Sequence, residues 1–439
     1  MLEITGATRI VVDDQTETTG SLFVEGGVIV DGSSGEVTET LDASGCVVTP
    51  GLVNAHHHLL QSGFRTLPGT RGVPMADWLP AMAGAYGAAG IDPSLVAATA
   101  AVGVAEGLLS GVTTVADHHL NWPVPAVSAA DTVAVARAVA EAARALGGRL
   151  VFVRGSARDD PQTAAGSAEA IVRGLLTRAS GSIPTGGVSD DGMLQVAVGP
   201  AGVHSDGRET FELLGEVAAR HGLRRRTQAN EQVDVVIALE RYGRRPLDLL
   251  DEWGWLADDV TIAHLCAVEP GEIARLAAAG VSATHAPGCD LPMGWGIAPV
   301  AALLAAGVPV GLGTSGGGSN DAGHLLADAR LAMQVAPLVG PPIAARTMLG
   351  LATAGSAAGL GRPELGHLRP GAAADLCLWD VTGVADAGVA DPVAGLLWAA
   401  PGRRPRDVYV AGRRVVEGGR LVAADERDLV AALATRLAR

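Results

Sequence analysis

Three consecutive histidines are the first residues of this sequence whose type and spacing suit chemistry. They lie in the segment VVTPGLVNAHHHLLQ, which begins as a predicted β-strand. Side chains alternate along an extended strand, so His56 and His58 share one face and His57 points to the other. Two imidazoles in this arrangement form the beginning of a metal site, although a histidine triplet can also be simply polar.

Four further polar residues follow short apolar runs, where strands are predicted to end. They are Glu231 in TQANEQ, His264 in TIAHL, Asp290 in APGCD and Ser315 in GLGTS. A glutamate enclosed beside imidazoles can be tuned to exchange protons with a ring, and we predict this role for Glu231. A solvated loop carboxylate is the alternative for Glu231 and for Asp290.

Histidines follow other predicted strands as well, namely His118, His119, His204 and His285. Each is either a ligand or proton carrier or, more simply, a hydrogen-bonded histidine of the core or of a loop. A run of three arginines precedes the fifth predicted strand, and most of it is typical of an exposed charge run. Strand alternation turns only Arg226 of this run inward.

These residues need a framework that brings the ends of many strands together. From Gly51 to about residue 360, short apolar runs alternate with stretches of helical period, as in VTTVAD followed by AVSAADTVAVARAVAEAARAL. Such repeated alternation predicts a parallel α/β architecture, and a (β/α)8 TIM barrel fits best. Chemistry in such barrels lies at the carboxyl ends of the strands, where the polar residues above are predicted.

Both ends of the chain have the pattern of short strands rather than of barrel units. Residues 1–50 contain RIVV, SLFVEGGVIV and CVVT, and strands return late in ADLCLWDV, RDVYVAG and RRVVEGGRLV. We therefore predict a composite β-sandwich from residues 1–50 and 362–421, a barrel from 51–361, and a C-terminal helix over 422–439.

The composition limits the partners and the compartment. The formal net charge of −15 argues against a nucleic-acid partner, which needs a basic surface. The amino terminus shows neither a signal peptide nor a membrane-spanning run, and the four cysteines form no CxxC pair. We therefore expect a cytoplasmic protein without a membrane partner. The sequence contains no lysine, which excludes Schiff-base chemistry and a carboxylated lysine between two metals.

The segment PGLVNAHHHLLQSGFR resembles the entry motif of the amidohydrolase superfamily. The resemblance covers nearly the whole chain, through GLLSGVTTVADHH, VTIAHL, GWGIAPVAALLAAGVPVGLGT and LGHLRPGAAADLCLWD in the expected order. It is greatest for the branch of 8-oxoguanine deaminases, guanine deaminases and triazine (chloro)hydrolases. It implies a (β/α)8 barrel, a small, flat, nitrogen-rich ring as the substrate, and a homo-oligomer.

The resemblance also implies a metal-activated water that attacks an amidine-like carbon of the ring. In the family, the HxH pair, a histidine after strand five and an aspartate after strand eight hold one divalent metal. His56 and His58 match the pair, and His264 matches a strand-six histidine that bonds the water. Glu231 matches the glutamate that shuttles protons to the ring nitrogen and to the leaving amine.

Two metal positions depart from this pattern, because Gln228 stands for the strand-five histidine and Ser315 for the strand-eight aspartate. Amide and hydroxyl groups are poor zinc ligands, and such a set has no anionic ligand to offset the charge of the metal. We therefore predict altered metal-ligand positions, with either no cofactor or one weakly held divalent metal, zinc if any. A three-imidazole site of His56, His58 and His264 is the alternative.

Substrate-binding residues are predicted around the same barrel mouth. By resemblance, Gln61, Arg65 and Trp78 match positions near the substrate, and His204, Gln228 and Trp295 complete the predicted set. Trp78, Trp122 and Trp295 offer faces on which a flat ring can stack, although each can equally belong to the core or to the rim.

Three functions remain open at this stage. The first is a hydrolase-like enzyme acting on a purine-, pterin- or triazine-like ring by acid–base chemistry of Glu231 and the mouth histidines, without a tight metal. Its reaction is hydrolysis, elimination, cyclisation or isomerisation. In this function Asp290 supplies the carboxylate that is missing at position 315. A variant uses Ser315 as a nucleophile activated by His264. The second function is a metal-dependent heterocycle deaminase, and the third is a non-catalytic binding protein on the same fold.

Overall fold

The computed structural model describes residues 1–32, 35–123 and 128–438. Residues 33–34 of the predicted sandwich and residue 439 of the predicted C-terminal helix lie outside the described residues. In chain order the strands are β1 (Leu2–Thr5), β2 (Arg9–Val11), β3 (Glu17–Thr18), β4 (Leu22–Glu25), β5 (Val28–Val30), β6 (Glu39–Asp42), β7 (Cys46–Pro50), β8 (Leu52–His58), β9 (Val112–His119), β10 (Arg149–Ser156), β11 (Leu194–Pro200), β12 (Arg225–Ala229), β13 (Val260–His264), β14 (Ser282–His285), β15 (Val310–Leu312), β16 (Ser315–Gly316), β17 (Leu376–Asp380), β18 (Asp407–Val410), β19 (Arg413–Glu417) and β20 (Arg420–Leu421).

The α-helices are α1 (Met75–Ala89), α2 (Pro93–Leu109), α3 (Ala129–Leu146), α4 (Pro161–Leu176), α5 (Arg208–His221), α6 (Val233–Tyr242), α7 (Pro246–Glu252), α8 (Pro270–Ala279), α9 (Pro287–Asp290), α10 (Val300–Ala305), α11 (Leu325–Val335), α12 (Ala345–Gly350), α13 (Ser356–Gly359), α14 (Pro392–Trp398) and α15 (Glu426–Leu437). Short 3-10 turns cover Leu59–Gly63, Thr185–Gly187, Ala336–Leu338 and Val384–Asp386, and one π-helical turn covers Leu351–Gly355.

A closed parallel sheet forms the centre of the fold. Its strand order is β15-β14-β13-β12-β11-β10-β9-β8-β16, and β15 and β16 are consecutive pieces of one interrupted strand. The sheet closes where β16 pairs with β8, with Ser315 opposite His57 and Gly316 opposite His58. Helices follow most strands, and the predicted (β/α)8 barrel is confirmed.

Local sequence explains where these elements begin and end. The strands β9 and β10 are buried at every position, as expected of parallel strands that are covered on both faces. Helix α3 begins at a capping box, in which Ser128 and Asp131 each accept a hydrogen bond from the other's backbone N–H. It ends at Gly147, whose φ of +79° is left-handed and suits a residue without a side chain.

The chain ends form two further sheets beside the barrel. One has the order β5-β4-β1-β6 and contains only amino-terminal strands, and the other has the order β20-β19-β18-β17-β7-β2-β3 and combines both ends. Antiparallel pairing of β17 with β7 brings Leu376 opposite Pro50. Only Gly51 separates β7 from β8, so this composite sheet continues directly into the strand that carries the histidine triplet.

A buried ion pair joins the barrel to the composite sheet. Arg149 at the start of β10 donates from Nε and Nη2 to the two carboxylate oxygens of Asp375, at 2.7 and 2.9 Å. Both side chains are almost inaccessible to solvent. Such a pair costs desolvation but fixes geometry, so it holds the two parts of the molecule in one register.

Within the described residues, no single helix is long and apolar enough to cross a membrane. Helices α1 and α2 reach that length and composition only as a pair, and the angle between them is 118°.

Candidate active site

The side chains with predicted chemical roles lie together at the carboxyl ends of the barrel strands. His56 and His58 come from β8, Gln228 from β12 and His264 from β13, while Asp290 ends the short helix α9 after β14. The ring centroid of His56 lies 4.9 Å from that of His58 and 5.2 Å from that of His264. The barrel therefore brings together residues that are more than two hundred positions apart in sequence.

Backbone contacts and burial hold the β8 histidines neutral. His58 donates from Nδ1 to the carbonyl oxygen of His118 at 2.7 Å, which leaves Nε2 as its unprotonated nitrogen. Burial lowers the pKa of His58 to about 4. Burial, and next the proximity of His58, lowers the pKa of His56 well below its ordinary value. The Nε2 atom of His56 is buried without a hydrogen-bond partner.

His264 has an oxygen at each ring nitrogen. Its Nδ1 lies 2.6 Å from Oδ1 of Asp290, and its Nε2 lies 3.0 Å from Oε1 of Gln228. The Gln228 amide is oriented by its own donation to the carbonyl of Ala201 at 3.2 Å, so its oxygen faces the ring. Burial alone would lower the pKa of His264, but the Asp290 carboxylate raises it above the ordinary value. The oxygen at each ring nitrogen and the raised pKa both favour the doubly protonated form of the ring.

The carboxylate of Asp290 lies beside two imidazole rings, those of His264 and His285. Its second oxygen, Oδ2, lies 3.3 Å from Nδ1 of His285. Burial alone would raise the pKa of Asp290, but the adjacent His264 lowers it to about 2. Asp290 therefore stays ionised across the whole range in which this protein would work.

Glu231 is buried beside this pair and has no hydrogen bond from its carboxyl oxygens within the described residues. Its Oε1 lies 3.7 Å from Nε2 of His264. Burial raises the pKa of Glu231 to about 8 despite the nearby imidazole. Its backbone is anchored, because its N–H donates to Oδ1 of Asp234 at 2.6 Å. Burial thus favours the neutral form of this carboxyl, which can donate a proton.

Ser315 lies at the closing strand with a φ of +53°, and its hydroxyl contacts the thiol of Cys289 rather than the imidazoles. The glycines that follow Ser315 form a loop that is held by side chains from other parts of the chain. Gln61 Oε1 accepts a hydrogen bond from the Gly318 N–H at 3.0 Å, and Trp78 Nε1 donates to the Gly318 carbonyl at 3.0 Å. Both residues thus position the loop wall of the pocket.

Arg65 lies outside the imidazole cluster. Its Nη1 donates to Glu106 at 3.0 Å and its Nη2 makes a second contact with the same carboxylate. Trp122 donates from Nε1 to the carbonyl of Gly155 at 3.0 Å and packs at the edge of the His119 ring. The structure therefore does not bring these two residues to the cluster.

His204 and Trp295 lie at the cluster, as the prediction requires of substrate-binding residues. Trp295 is half-buried, and its ring meets that of His264 edge-on at a centroid distance of 5.0 Å. The Nδ1 atom of His204 is buried and has no hydrogen-bond partner within the described residues. Burial lowers the pKa of His204 to about 4, so this ring is neutral.

The residues at two of the metal positions that the resemblance implies are an amide, Gln228, and a hydroxyl, Ser315. Within the described residues, buried ring nitrogens without a hydrogen-bond partner include Nε2 of His56, Nδ1 of His204 and both nitrogens of His285. The amide oxygen of Gln228 accepts a hydrogen bond from His264, and Ser315 contacts a thiol. Catalytic zinc sites are built from three protein ligands, so His56 and His58 need at least one further donor from the residues around them.

A second group of potential ligands consists of His264, Cys289 and Asp290, whose donor atoms all lie within 4.8 Å of one another. Two of its members already satisfy each other in the 2.6 Å hydrogen bond. Burial also raises the pKa of Cys289, so the thiol is not the thiolate that a metal needs.

Two residues of the site carried little signal in the sequence. Asp234 caps the turn by accepting from the backbone N–H groups of Asn230 and Glu231, at 2.7 and 2.6 Å. The only feature of the sequence that pointed to this role is that Asp234 follows Asn230 by four positions. Arg226 is buried on the inward face of β12, as strand alternation predicts, but nothing in the sequence revealed that it lacks a carboxylate partner.

Comparison with known proteins identifies the family of the chain. Residues 47–415 match the Amidohydrolase family. The chain is 35% identical to 8-oxoguanine deaminase of Pseudomonas aeruginosa over 435 residues, which cover 94% of this chain and 93% of that protein. It is 31% identical to an isoxanthopterin deaminase from an unknown prokaryotic organism, over 89% of this chain and 84% of that one.

Among solved structures, atrazine chlorohydrolase from Arthrobacter aurescens TC1 complexed with zinc is 34% identical, with a TM-score of 0.90 and all of both chains covered. The predicted resemblance to the deaminase and triazine hydrolase branch is thereby confirmed. The chain belongs to the amidohydrolase family and is a hydrolase of carbon–nitrogen bonds.

Proposed function

We propose that this protein is a deaminase-type hydrolase of a small nitrogen heterocycle, in which Glu231 moves the protons and no tightly held metal is used. The observation that carries the proposal is a buried Glu231 carboxyl that has no hydrogen-bond partner within the described residues and whose Oε1 lies 3.7 Å from Nε2 of His264. Relatives named for 8-oxoguanine and isoxanthopterin support a purine- or pterin-like ring as the substrate.

The reaction balances with Glu231 as the single shuttle. The neutral carboxyl donates its proton to the ring nitrogen of the amidine as water adds to the adjacent carbon, and the resulting carboxylate accepts a proton from that water. The carboxyl then protonates the amino group, which leaves as ammonia while the carboxylate takes the hydroxyl proton. The products are a lactam, ammonia and a neutral Glu231.

His264 has the electrostatic role in this scheme. Its Nε2–H, which Gln228 accepts in the free protein, would donate to the oxygen that gains negative charge during attack. Asp290 keeps the ring protonated and oriented from the other side. Gln228 is then a positioning residue for His264, and its amide substitutes for a metal-binding imidazole.

The metal-dependent deaminase is the second candidate, and the relaxed site would use His56, His58 and His264. It is favoured by the free Nε2 of His56 and by the zinc-bound atrazine chlorohydrolase to which the chain is similar. Metal analysis of protein purified without chelators separates the candidates. One equivalent of zinc, with turnover lost on its removal and regained on its return, would overturn the metal-free proposal.

Substitution Glu231→Gln tests the proton shuttle itself. We expect kcat for deamination of an 8-oxoguanine-like ring to fall by about 10²–10⁴, because the amide cannot accept and return a proton, while ligand binding persists. Glu240→Gln on the exposed face of α6 is the matched control and should retain full turnover. Unchanged kcat in Glu231→Gln would refute the role.

A further inference from the structure

Asp328 of α11 is a buried carboxylate whose two hydrogen-bond partners are both uncharged. Its side chain is 4% exposed. Its Oδ1 accepts from the backbone N–H of Gly288 at 2.8 Å, and its Oδ2 accepts from Nδ2 of Asn320 at 3.0 Å. Burial raises the pKa of Asp328 to about 7, although both hydrogen bonds act to lower it. A carboxylate in such surroundings costs free energy, so we asked what it does there that a neutral side chain would not.

The two contacts of Asp328 need an acceptor on both sides. An asparagine of the same shape has one oxygen and one NH2 group, so in either orientation a donor would face a donor. The Asn320 amide cannot turn to relieve this conflict, because its Nδ2 also donates to the carbonyl of Thr314 at 2.8 Å. The carboxylate is therefore the form of this side chain that satisfies both partners.

On one side, Asp328 holds the short helix α9, which carries Asp290. Gly288 precedes Asp290 by two positions in the single turn of this helix. The Oδ1 atom of Asp290 lies 2.6 Å from Nδ1 of His264, and its Oδ2 lies 3.3 Å from Nδ1 of His285. A displacement of α9 would therefore move the Asp290 carboxylate relative to both rings.

Gly288 permits this close approach because it has no side chain. A Cβ at this position would lie 2.5 Å from both terminal atoms of the Asn320 side chain and closer still to Oδ1 of Asp328. A helix of one turn has too few internal hydrogen bonds to fix its own position. Contact with Asp328 therefore contributes directly to where α9 lies.

On the other side, the hydrogen bonds of Asn320 reach the strand that contains the histidine triplet. The carbonyl of Thr314 accepts from Asn320, and the Thr314 hydroxyl lies 2.9 Å from Nδ1 of His57 and accepts from Nδ2 of Asn54 at 2.7 Å. His57 and Asn54 both belong to β8. A continuous series of hydrogen bonds thus joins β8 to α9, and Asp328 is its last member before α9.

We propose that Asp328 is a positioning residue for the reaction, which fixes the Asp290 carboxylate against His264 by holding α9 to the closing strand of the barrel. The inference rests on the proposed function, in which Asp290 orients the His264 ring. Asp328 bonds Gly288 and Asn320 rather than the imidazoles, so it acts through Asp290.

Kinetics of Asp328→Asn and of Gly288→Ala test the two sides of this contact. With 8-oxoguanine and isoxanthopterin as probes, we expect kcat to fall by about tenfold in each variant, while KM changes by less than about twofold. In an Asp290→Ala background, neither change should lower kcat further, because the carboxylate that they position is already absent.

Two control variants separate positioning from a general loss of stability. Asp407→Asn alters a buried carboxylate of β18, outside the barrel, and should lower the free energy of unfolding without changing kcat. Gln334→Ala lies on the exposed face of α11 and should change neither quantity.

Proton NMR of the wild-type protein gives a readout that needs no turnover. The proton shared by His264 Nδ1 and Asp290 Oδ1, which are 2.6 Å apart, should resonate far downfield, and its loss in Asp290→Ala assigns it. In Asp328→Asn this signal should shift upfield or be lost through exchange with water, whereas Asp407→Asn should retain it.

An unchanged signal in Asp328→Asn would overturn the proposal. So would decreases in kcat that add in full to that of Asp290→Ala, or an unchanged kcat in Asp328→Asn where Asp290→Ala is impaired. Full turnover in Asp290→Ala would instead count against the proposed function, and the NMR signal would still decide whether Asp328 positions Asp290.

Discussion

His264 shows how the charged form of one imidazole can be favoured inside the barrel. An oxygen faces each of its nitrogens, from Asp290 on one side and Gln228 on the other. The two contacts differ in kind, because only Asp290 brings a negative charge. Gln228 fixes the orientation of the His264 ring, whereas Asp290 favours the protonated state of that ring. Removing each oxygen should therefore have different consequences.

Substitution Asp290→Asn should lower the pKa of His264, because the raising influence of the carboxylate is lost while burial remains. Turnover should fall by about 10² or more, as the ring becomes neutral and can take the wrong tautomer. An NMR titration of the His264 ring nitrogens measures the first effect and steady-state kinetics the second. Asp251→Asn on the exposed side of α7 is the control. A His264 ring that stays charged in Asp290→Asn would contradict the assignment.

The pH dependence follows from Glu231. Its pKa is about 8 in the folded chain against an ordinary 4.5, so the folded protein holds more protons than the unfolded chain between these values. The free energy of unfolding should therefore fall as pH rises through this interval and should level off above it. The kcat should also decline above about pH 8, where the neutral acid is lost.

Urea unfolding and kcat measured from pH 5 to pH 9 check both effects. Glu231→Gln cannot titrate, so its free energy of unfolding should depend less steeply on pH than that of wild type. Identical slopes in the two proteins would show that Glu231 does not titrate in this range.

Single residues were predicted well where alternation alone decides their direction. The shared face of His56 and His58 and the inward turn of Arg226 follow from strand geometry. The partners of Gln61 and Trp78 did not, because both hold Gly318, more than two hundred residues away in sequence. A family position near the substrate does not reveal whether a side chain touches the ligand or supports the wall beside it.

Among the elements, the glycine loop after β16 depends on the absence of side chains. A Cβ at Gly317 would lie 2.6 Å from the backbone carbonyl oxygen of Gln61, closer than real contacts allow. Arg71 donates to the carbonyl of Ser319 at 2.9 Å, so the loop cannot simply move away. The glycines are therefore a steric requirement of barrel closure rather than a sign of a phosphate loop.

Substitution Gly317→Ala should destabilise the protein by about 1–3 kcal/mol, because the added methyl group must displace backbone. Gly166→Ala is the matched control, since this exposed position inside α4 has no atom within 4 Å of the added Cβ. That change should stabilise the helix by about 1 kcal/mol. Denaturant unfolding of both variants measures the difference, and equal effects would rule out crowding at the loop.

Long elements could be predicted from their patterns, whereas short ones at the site could not. The apolar run VTTVAD and the helical period of AVSAADTVAVARAVAEAARAL are local signals that the structure reproduces in β9 and α3. The break between β15 and β16 has no such signal, because glycines around Thr314 suit either a loop or a tight strand pairing. It is the partner strand β8 that decides between them.

In the whole molecule, the Arg149–Asp375 pair couples the barrel to the composite sheet. Substitution Arg149→Ala should destabilise the protein by about 3–5 kcal/mol, because it leaves a buried carboxylate without its cation. The exposed Arg178–Asp190 pair is the control, and Arg178→Ala should leave the free energy of unfolding nearly unchanged. Urea unfolding gives both values. A small loss in Arg149→Ala would mean that the two parts are held together by packing alone.

The overall architecture could be predicted because many strand–helix repeats point to the same answer. A β-sandwich built from both ends of the chain was also expected, but its division into one composite sheet and a separate sheet of amino-terminal strands β1, β4, β5 and β6 was not specified. Strand order in antiparallel sheets depends on pairings between distant segments, which short apolar runs do not specify. The boundaries at 50, 361 and 421 remain predictions.

The single glycine between β7 and β8 has a consequence for how a substrate can enter. His56 and His58 lie at the end of the extended segment formed by β7 and β8, which belong to two different sheets. Strand pairing in both sheets therefore fixes the position of this side of the site. The glycine loop next to it, residues 317–321, is held mainly by side chains such as Arg71 and Trp78. A ring that enters therefore meets imidazoles held by strand pairing and, beside them, a loop held by side-chain contacts.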